Sequence, residues 1–372
     1  MTRLALAALL AAAPALTAQT VAITGGTVHT AAGAPIERGT VLLRDGRIVA
    51  VGGDVTVPAD ARRIDATGKV VTPGLFLGSS TLGVKLFETG GIGDTRESTK
   101  QGDVNASFLV ADGLDAAHVT IPVARMEGIT TAVTVPEGGL VSGQAALLDL
   151  DGSSADEMLV RRGVAMTVTL SQGSKSAGGG TRAGSVARFR QLLLDAREYS
   201  KRRQDYRTAR IQPLSAPATE LEAMLPVLRG EQPVLVTANR RSDIETVLRL
   251  KREFGLRVIL VGAREGWQVA AELAKERVPV GVDPLANIPG FDAPAARLDN
   301  AALLREAGVP VFILASDQSK YRTLRHEAGN AVRHGVSWDD ALAGITRVPA
   351  EAFGMGDRYG TLAPGKVANV VV

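Results

Sequence analysis

The spacing of apolar positions changes character twice along this chain. Residues 20–72 alternate apolar and polar over short runs, "TVAITGGTVHT", "GTVLLRDGRIVAVGG" and "RRIDATGKVVTPG". That is the period-two pattern of half-buried strands. Asp45-Gly46 sits between two such runs and predicts a tight hairpin, since both residue types tolerate left-handed φ. From residue 73 the pattern becomes strand-then-helix. Apolar runs predict strands at Leu75–Ser79, Ile129–Val135, Ala145–Leu150, Val164–Leu170, Val234–Ala238, Arg257–Gly262, Val278–Val282 and Val311–Ser316. Several are continuously apolar, as strands covered on both faces should be. Amphipathic helices are predicted in "SDIETVLRLKREFG", "EGWQVAAELAKER" and "RLDNAALLREAG", with cap-type residues at Ser242-Asp243 and Asp299-Asn300 and stops at Gly255 and Gly308. Eight such strands suit a (β/α)8 barrel or an open doubly wound sheet, and the pattern leaves that choice open. The tail "YGTLAPGKVANVVV" returns to a strand pattern, and its last valines need sheet partners that the N-terminal β unit could supply.

Composition narrows the classes. Over 372 residues, 45% are hydrophobic but only 4% aromatic, so the core is built from Ala, Val, Leu and Ile. The 42 basic and 39 acidic residues are interspersed, and a net charge of +3 does not mark a nucleic-acid binder. The basic run "REYSKRRQDYRTAR" at 197–210 contains Glu198 and Asp205 and is read as a solvated helix face. With no cysteine, disulfides, thiolate metal sites and cysteine nucleophiles are excluded. Residues 1–18 have the form of a cleavable signal peptide: Arg3, then the apolar Leu4–Ala13, with cleavage after Ala18. The expected location is periplasmic or secreted, with no membrane span in the remainder. Losing Arg3 takes the charge to 3 − 1 = +2. The Gly/Ser-rich stretch 171–185, "SQGSKSAGGGTRAGS", lacks the Gly-Lys-Ser/Thr of a phosphate-binding loop and is read as either a lid or a surface loop.

The N-terminal β unit, "VVTPGLF", "GITTAVTVP", "ILASD", "HGVSWDDALAGITRVPAEAFGM" and "GTLAPGKVANVVV", taken in order, resemble the amidohydrolase superfamily, more narrowly its exported imidazolonepropionase-like branch. The resemblance covers nearly all of the mature chain. It implies a metal-dependent (β/α)8 barrel at 73–345, with a small β-sandwich built from 19–72 and 346–372. It also implies hydrolysis of C–N bonds in cyclic amides, peptides and related compounds. Such proteins usually continue past this point with further sandwich strands, so the second part is expected to be truncated at Val372, where Val367 and Asn369 replace the usual two Asp.

The resemblance further implies a zinc-type divalent ion held by histidines, and here the residues depart from it. The first-strand His-x-His pair falls on Ser79 and Thr81, with Leu77 where an Asp is frequent. The fifth-strand histidine falls on Thr237 and the sixth-strand one on Gly262 or Ala263. The eighth-strand Asp is present as Asp317. The four histidines of the chain, His29, His118, His326 and His334, are read as ordinary structural residues. Neutral hydroxyls bind divalent ions weakly, so no metal is expected and water activation by that route is expected to be lost. Ser79, Thr81, Thr237, Asn239, Arg240, Glu265 and Asp283 remain as candidate substrate-binding residues, with Asp317 as the candidate general base. Arg240 and Glu265 fit structural ion pairing equally well. Two functions stay open: a hydrolase with a rebuilt site, and a non-catalytic barrel that binds a small molecule or partner. A homo-oligomer is compatible with either.

Overall fold

The computed structural model describes residues 20–84, 102–208, 210, 212–315 and 321–372. The expected signal peptide and Asp317 therefore lie outside the described residues.

Five strands open the chain: β1 Val21–Val28, β2 Ile36–Arg44, β3 Arg47–Gly52, β4 Arg62–Asp65 and β5 Val70–Pro73. β2 and β3 form the expected hairpin, with Asp45 at φ 51° and Gly46 at φ 69°. Two consecutive left-handed residues twist the turn to match the strands it joins. Eight strands then make the barrel sheet: β6 Leu75–Ser80, β7 Ile129–Thr134, β8 Val141–Asp149, β9 Leu159–Thr169, β10 Val234–Ala238, β11 Val258–Gly262, β12 Val280–Val282 and β13 Val311–Ile313. They follow one another around the sheet in chain order, which settles the barrel against the open doubly wound alternative. The seam between β13 and β6 is nearly closed: the ring of Phe312 lies over Gly78, and the Phe76 N–H donates to Ile345 O at 2.8 Å.

The third strand departs from an all-parallel barrel. β8 runs antiparallel to both β7 and β9, and the other seven barrel strands run one way. The cause is local. Only residues 135–140 separate β7 from β8. A parallel crossover needs a dozen or more residues, whereas a hairpin needs only a few. Gly138 and Gly139, at φ 96° and 69°, make that turn.

Alternation sorts side chains between two cores. Leu235 on β10, Ile259 and Val261 on β11 and Phe312 on β13 face inward with Phe76, Val133 and Leu147. Their neighbours Val234, Val236, Val258, Leu260, Val311 and Ile313 face the surrounding helices. Phe312 needs glycine on two sides: a Cβ at Gly281 or Gly78 would sit 2.6 or 2.7 Å from its ring. In the helix Arg241–Phe254, the buried Ile244, Val247, Leu248, Leu250 and Phe254 follow the expected spacing, and Gly255 ends it at φ 70°. The expected caps differ. Neither this helix nor Asn300–Glu306 has a side-chain cap bond: Arg240 and Asp299 hold the cap positions, Asp243 pairs with Arg182, and the Asp299 carboxylate is taken by Arg297.

The small sheet is completed from the far end of the chain. β14, Val370–Val371, pairs antiparallel with β5, and Ile48 N and Ala368 N bond to Lys366 O and Gly46 O at 2.8 and 2.9 Å. The terminal valines thus find the partners they need. Residues beyond 346 also serve the barrel. Helix Arg347–Ala352 and the residues after it send Val348, Ala350, Phe353, Met355 and Tyr359 into the inner barrel core, so the barrel floor extends well past residue 345. At that floor, Asp149 accepts from Tyr359 Oη at 3.2 Å and Asn369 Nδ2 at 3.0 Å. Burial pushes the Asp149 carboxyl up, against the pull of these two bonds, and pushes the Tyr359 phenol up to about 12.

Candidate functional site

The C-terminal ends of β6, β7, β9, β10 and β11 and the start of β8 surround a cavity of about 330 Å³. Inward alternation brings Thr167 and Thr169 from β9, Leu235 and Thr237 from β10, and Val261 from β11 to its wall. Ser79 joins them through a slip in register. Between Leu77 and Ser80, β6 carries one residue more than β7, which shifts the phase of its inward side chains. The β7–β8 hairpin contributes Val135, Pro136, Glu137, Gly138, Gly139 and Ser142.

The wall is hydroxyl-rich. Thr167 Oγ1 donates to Gly143 O at 2.7 Å. The hydroxyls of Ser79, Ser142, Thr169 and Thr237 make no hydrogen bond within the protein among the described residues. Each is therefore available as donor and acceptor. Glu137 is the carboxylate of the described lining, and no Lys, Arg or His belongs to that lining.

Of the candidate residues, the structure brings Ser79 and Thr237 together in this cavity. Thr81 lies beyond the end of β6, 3% exposed, and is not part of the wall. Three of the other four, Glu265, Asn239 and Asp283, bond to the long segment between β12 and the helix Asn300–Glu306, and Arg240 bonds at the start of its own helix. Glu265, 6% exposed, accepts from Arg241 N and Ala295 N, each at 2.9 Å. Asn239 Nδ2 donates to Asp292 at 3.0 Å, and Arg182 pairs with the same carboxylate. Arg240 donates to Ser242 Oγ at 3.1 Å and lies 3.9 Å from Asp243. Asp283 Oδ1 accepts from Ala286 N at 3.0 Å. Burial pushes the Asp243 carboxyl up, while the neighbouring Arg182 and Arg240 guanidiniums hold it down. For Arg240 and Glu265, the bonds present are those of structural partners.

Glu137, Ser142 and Thr169 were missing from the sequence-based candidates. Expecting β8 to be parallel places its first residues at the wrong end of the barrel. The signal that could have found them is "VPEGGL", too short for a crossover and so a hairpin beside the mouth.

The stretch 171–185 is a packed turn. Two short 3-10 segments bury Ser174 and Ala177, Thr181 caps the helix Arg182–Lys201, and only Gly173 reaches the cavity. The basic run forms ion pairs along the exposed end of that helix, including Arg202 with Glu198 and Asp205. His118 is buried, and desolvation pushes its imidazole down against the opposing pull of Asp115. It contacts Thr120 Oγ1 at 2.6 Å. His29 packs against Trp338 with ring centroids 4.4 Å apart, and His326 is exposed. No helix among the described residues is long and apolar enough to cross a membrane.

An eight-stranded α/β barrel with a cavity at the strand C-termini defines a TIM-barrel protein with its site in the usual place. Comparison with known proteins makes this specific. The Amidohydrolase family model matches residues 291–372. The chain is 25% identical over 369 residues to amidohydrolase tasK of Hapsidospora irregularis, an alignment covering 91% of this chain and 37% of that protein. It is 40% identical over 73 residues to the imidazolonepropionase of Chromobacterium violaceum, 18% of each chain. It thus spans well under half the length of the curated relatives it matches. The crystal structure of an amidohydrolase from Thermotoga maritima MSB8 superposes with a TM-score of 0.85 at 25% identity, covering 94% of this chain and 93% of that one. The family model, the relatives and the barrel together support membership of the amidohydrolase superfamily.

The metal that this superfamily implies can be tested against the donors present. Ser79 and Thr237 offer neutral hydroxyls, and Thr81 is buried away from the wall. At the end of β11 the backbone is left-handed at two successive residues. Gly262 has φ +88°, and a Cβ there would lie 2.4 Å from Asn239 Oδ1. Ala263 has φ +43° and is fully buried, with its N–H bonded to Ala238 O at 2.8 Å and its carbonyl to Asn300 Nδ2 at 3.0 Å. Among the described residues no three His, Cys, Asp or Glu are grouped to hold an ion. The described residues do not fit a catalytic divalent metal, which needs about three strong protein donors.

Proposed function

We propose that this chain is an exported amidohydrolase-superfamily protein with a degenerate metal site, whose inherited reaction is hydrolysis of C–N bonds other than peptide bonds. The observation that carries the reading is the mouth cavity, walled by Ser79 and Thr237 where the superfamily places its ligands. The short match to imidazolonepropionase supports cyclic amides as the bond class. Asp317 is the residue proposed to act on water, since it is the one superfamily site residue retained in the sequence. The hydroxyl wall favours a second reading, a non-catalytic barrel that binds a small molecule. Both readings place the protein in the periplasm or outside the cell. The test is a panel of cyclic amides and cyclic dipeptides with purified protein and Asp317→Asn. Hydrolysis abolished by the substitution supports the enzyme. No turnover by the wild-type protein leaves the binding barrel.

A further inference from the structure

We infer that the mouth cavity selects a small uncharged ligand, one that presents several hydrogen-bonding atoms around a compact apolar frame, and that it rejects anions. The inference rests on the proposed use of this cavity but not on turnover. Four hydroxyls, Ser79, Ser142, Thr169 and Thr237, converge on about 330 Å³ with no protein partner among the described residues. They come from four different strands, so they approach a bound molecule from several sides. A hydroxyl can meet a carbonyl, an amide N–H or another hydroxyl equally well, but it carries no formal charge. Val135, Leu235 and Val261 supply apolar wall between them. The volume is at the small end of ligand pockets, roughly 300–1,000 Å³, which limits the ligand to a compact frame.

Charge decides the rest. The described lining holds no cation, and its one carboxylate is Glu137. A carboxylate or phosphate entering would lose hydration without gaining a counter-ion from the described lining, a cost that hydroxyl bonds offset only in part. A neutral amide loses less and regains its bonds from the wall. Discrimination should therefore follow charge more than shape.

The test uses the full mature chain and three probes matched in frame: N-acetylalaninamide (neutral), N-acetylalanine (anionic) and alaninamide (cationic). Ligand-observed NMR gives a dissociation constant for each. The neutral amide is expected to bind at least about tenfold more tightly than the anion, since an unpaired charge is the costlier group to desolvate. Thr237→Val keeps the side-chain shape and removes one hydroxyl. It should weaken the neutral probe roughly two- to tenfold, the range for one net hydrogen bond, with the unfolding midpoint unchanged. Ser142→Ala should weaken it similarly from β8. Equal or tighter binding of the anion, tighter binding of the cation, or no binding of the neutral probe overturns the inference. So does binding that neither substitution alters. These outcomes are independent of hydrolysis: the amide can bind whether or not any C–N bond is cleaved.

Discussion

Gly262→Ala is the substitution that most sharply probes how the end of β11 is held. Two costs are expected, and the structure separates them. The backbone cost arises because Gly262 has φ +88°, and an L-residue in left-handed backbone loses about 1–2 kcal/mol. The contact cost arises because the new Cβ would lie 2.4 Å from Asn239 Oδ1. Asn239 would have to move, and its 3.0 Å bond to the Asp292 carboxylate would be broken or bent. A hydrogen bond to a charged group contributes about 1.5–3 kcal/mol. The sum is about 2.5–5 kcal/mol. Gly308→Ala provides the control. Its φ is +85°, but nothing lies within 4 Å of the Cβ position, so only the backbone cost of about 1–2 kcal/mol applies. Urea unfolding of both variants measures the difference. Adding Asn239→Ala to each tests the attribution, because Gly262→Ala should cost less once Asn239 is gone, while Gly308→Ala should cost the same. Equal destabilisation by the two glycine substitutions, or no coupling to Asn239, would show that the Asn239 contact does not set the cost at Gly262.

Two further outcomes follow from other parts of the molecule. The Asp149 carboxyl is pushed up by burial, so the folded state binds its proton more readily than the unfolded chain does. Its contribution to stability is then fullest below the unfolded carboxylate range and is lost as pH rises through the raised folded value. The destabilisation caused by Asp149→Asn should therefore be largest at acid pH and shrink as pH rises, in a series of urea midpoints. Glu265→Gln keeps one carbonyl acceptor for the two N–H groups of Arg241 and Ala295 that the carboxylate serves. Amide exchange across 291–297 should speed up markedly, with that of β10 unchanged; equal protection in both would show that Glu265 does not hold this segment.

Much of the scaffold was legible because its signals are local. The Asp45-Gly46 turn and the apolar runs of β10 and β11 each depend on residues adjacent in sequence. So does the Gly255 helix stop. Strand direction was not legible from apolar runs, since β8 is equally apolar in either direction; its six-residue connection to β7 decided it. The site was half legible. Ser79 and Thr237 reach the cavity, whereas Asn239 and Glu265 are drawn into bonds with residues more than twenty positions away. No local pattern announces such partners. Likewise, Asp243, expected at a helix cap, pairs with Arg182, far back in the chain.

The described residues at this barrel mouth offer hydroxyls, not the strong donors of a divalent-metal centre. Metal content of the purified mature protein, expressed with zinc, manganese, nickel and iron each supplied in turn, tests it most directly. Far less than one equivalent of any of them per chain is expected after gel filtration. Near-stoichiometric metal that is lost on Asp317→Asn or Thr237→Val would contradict it.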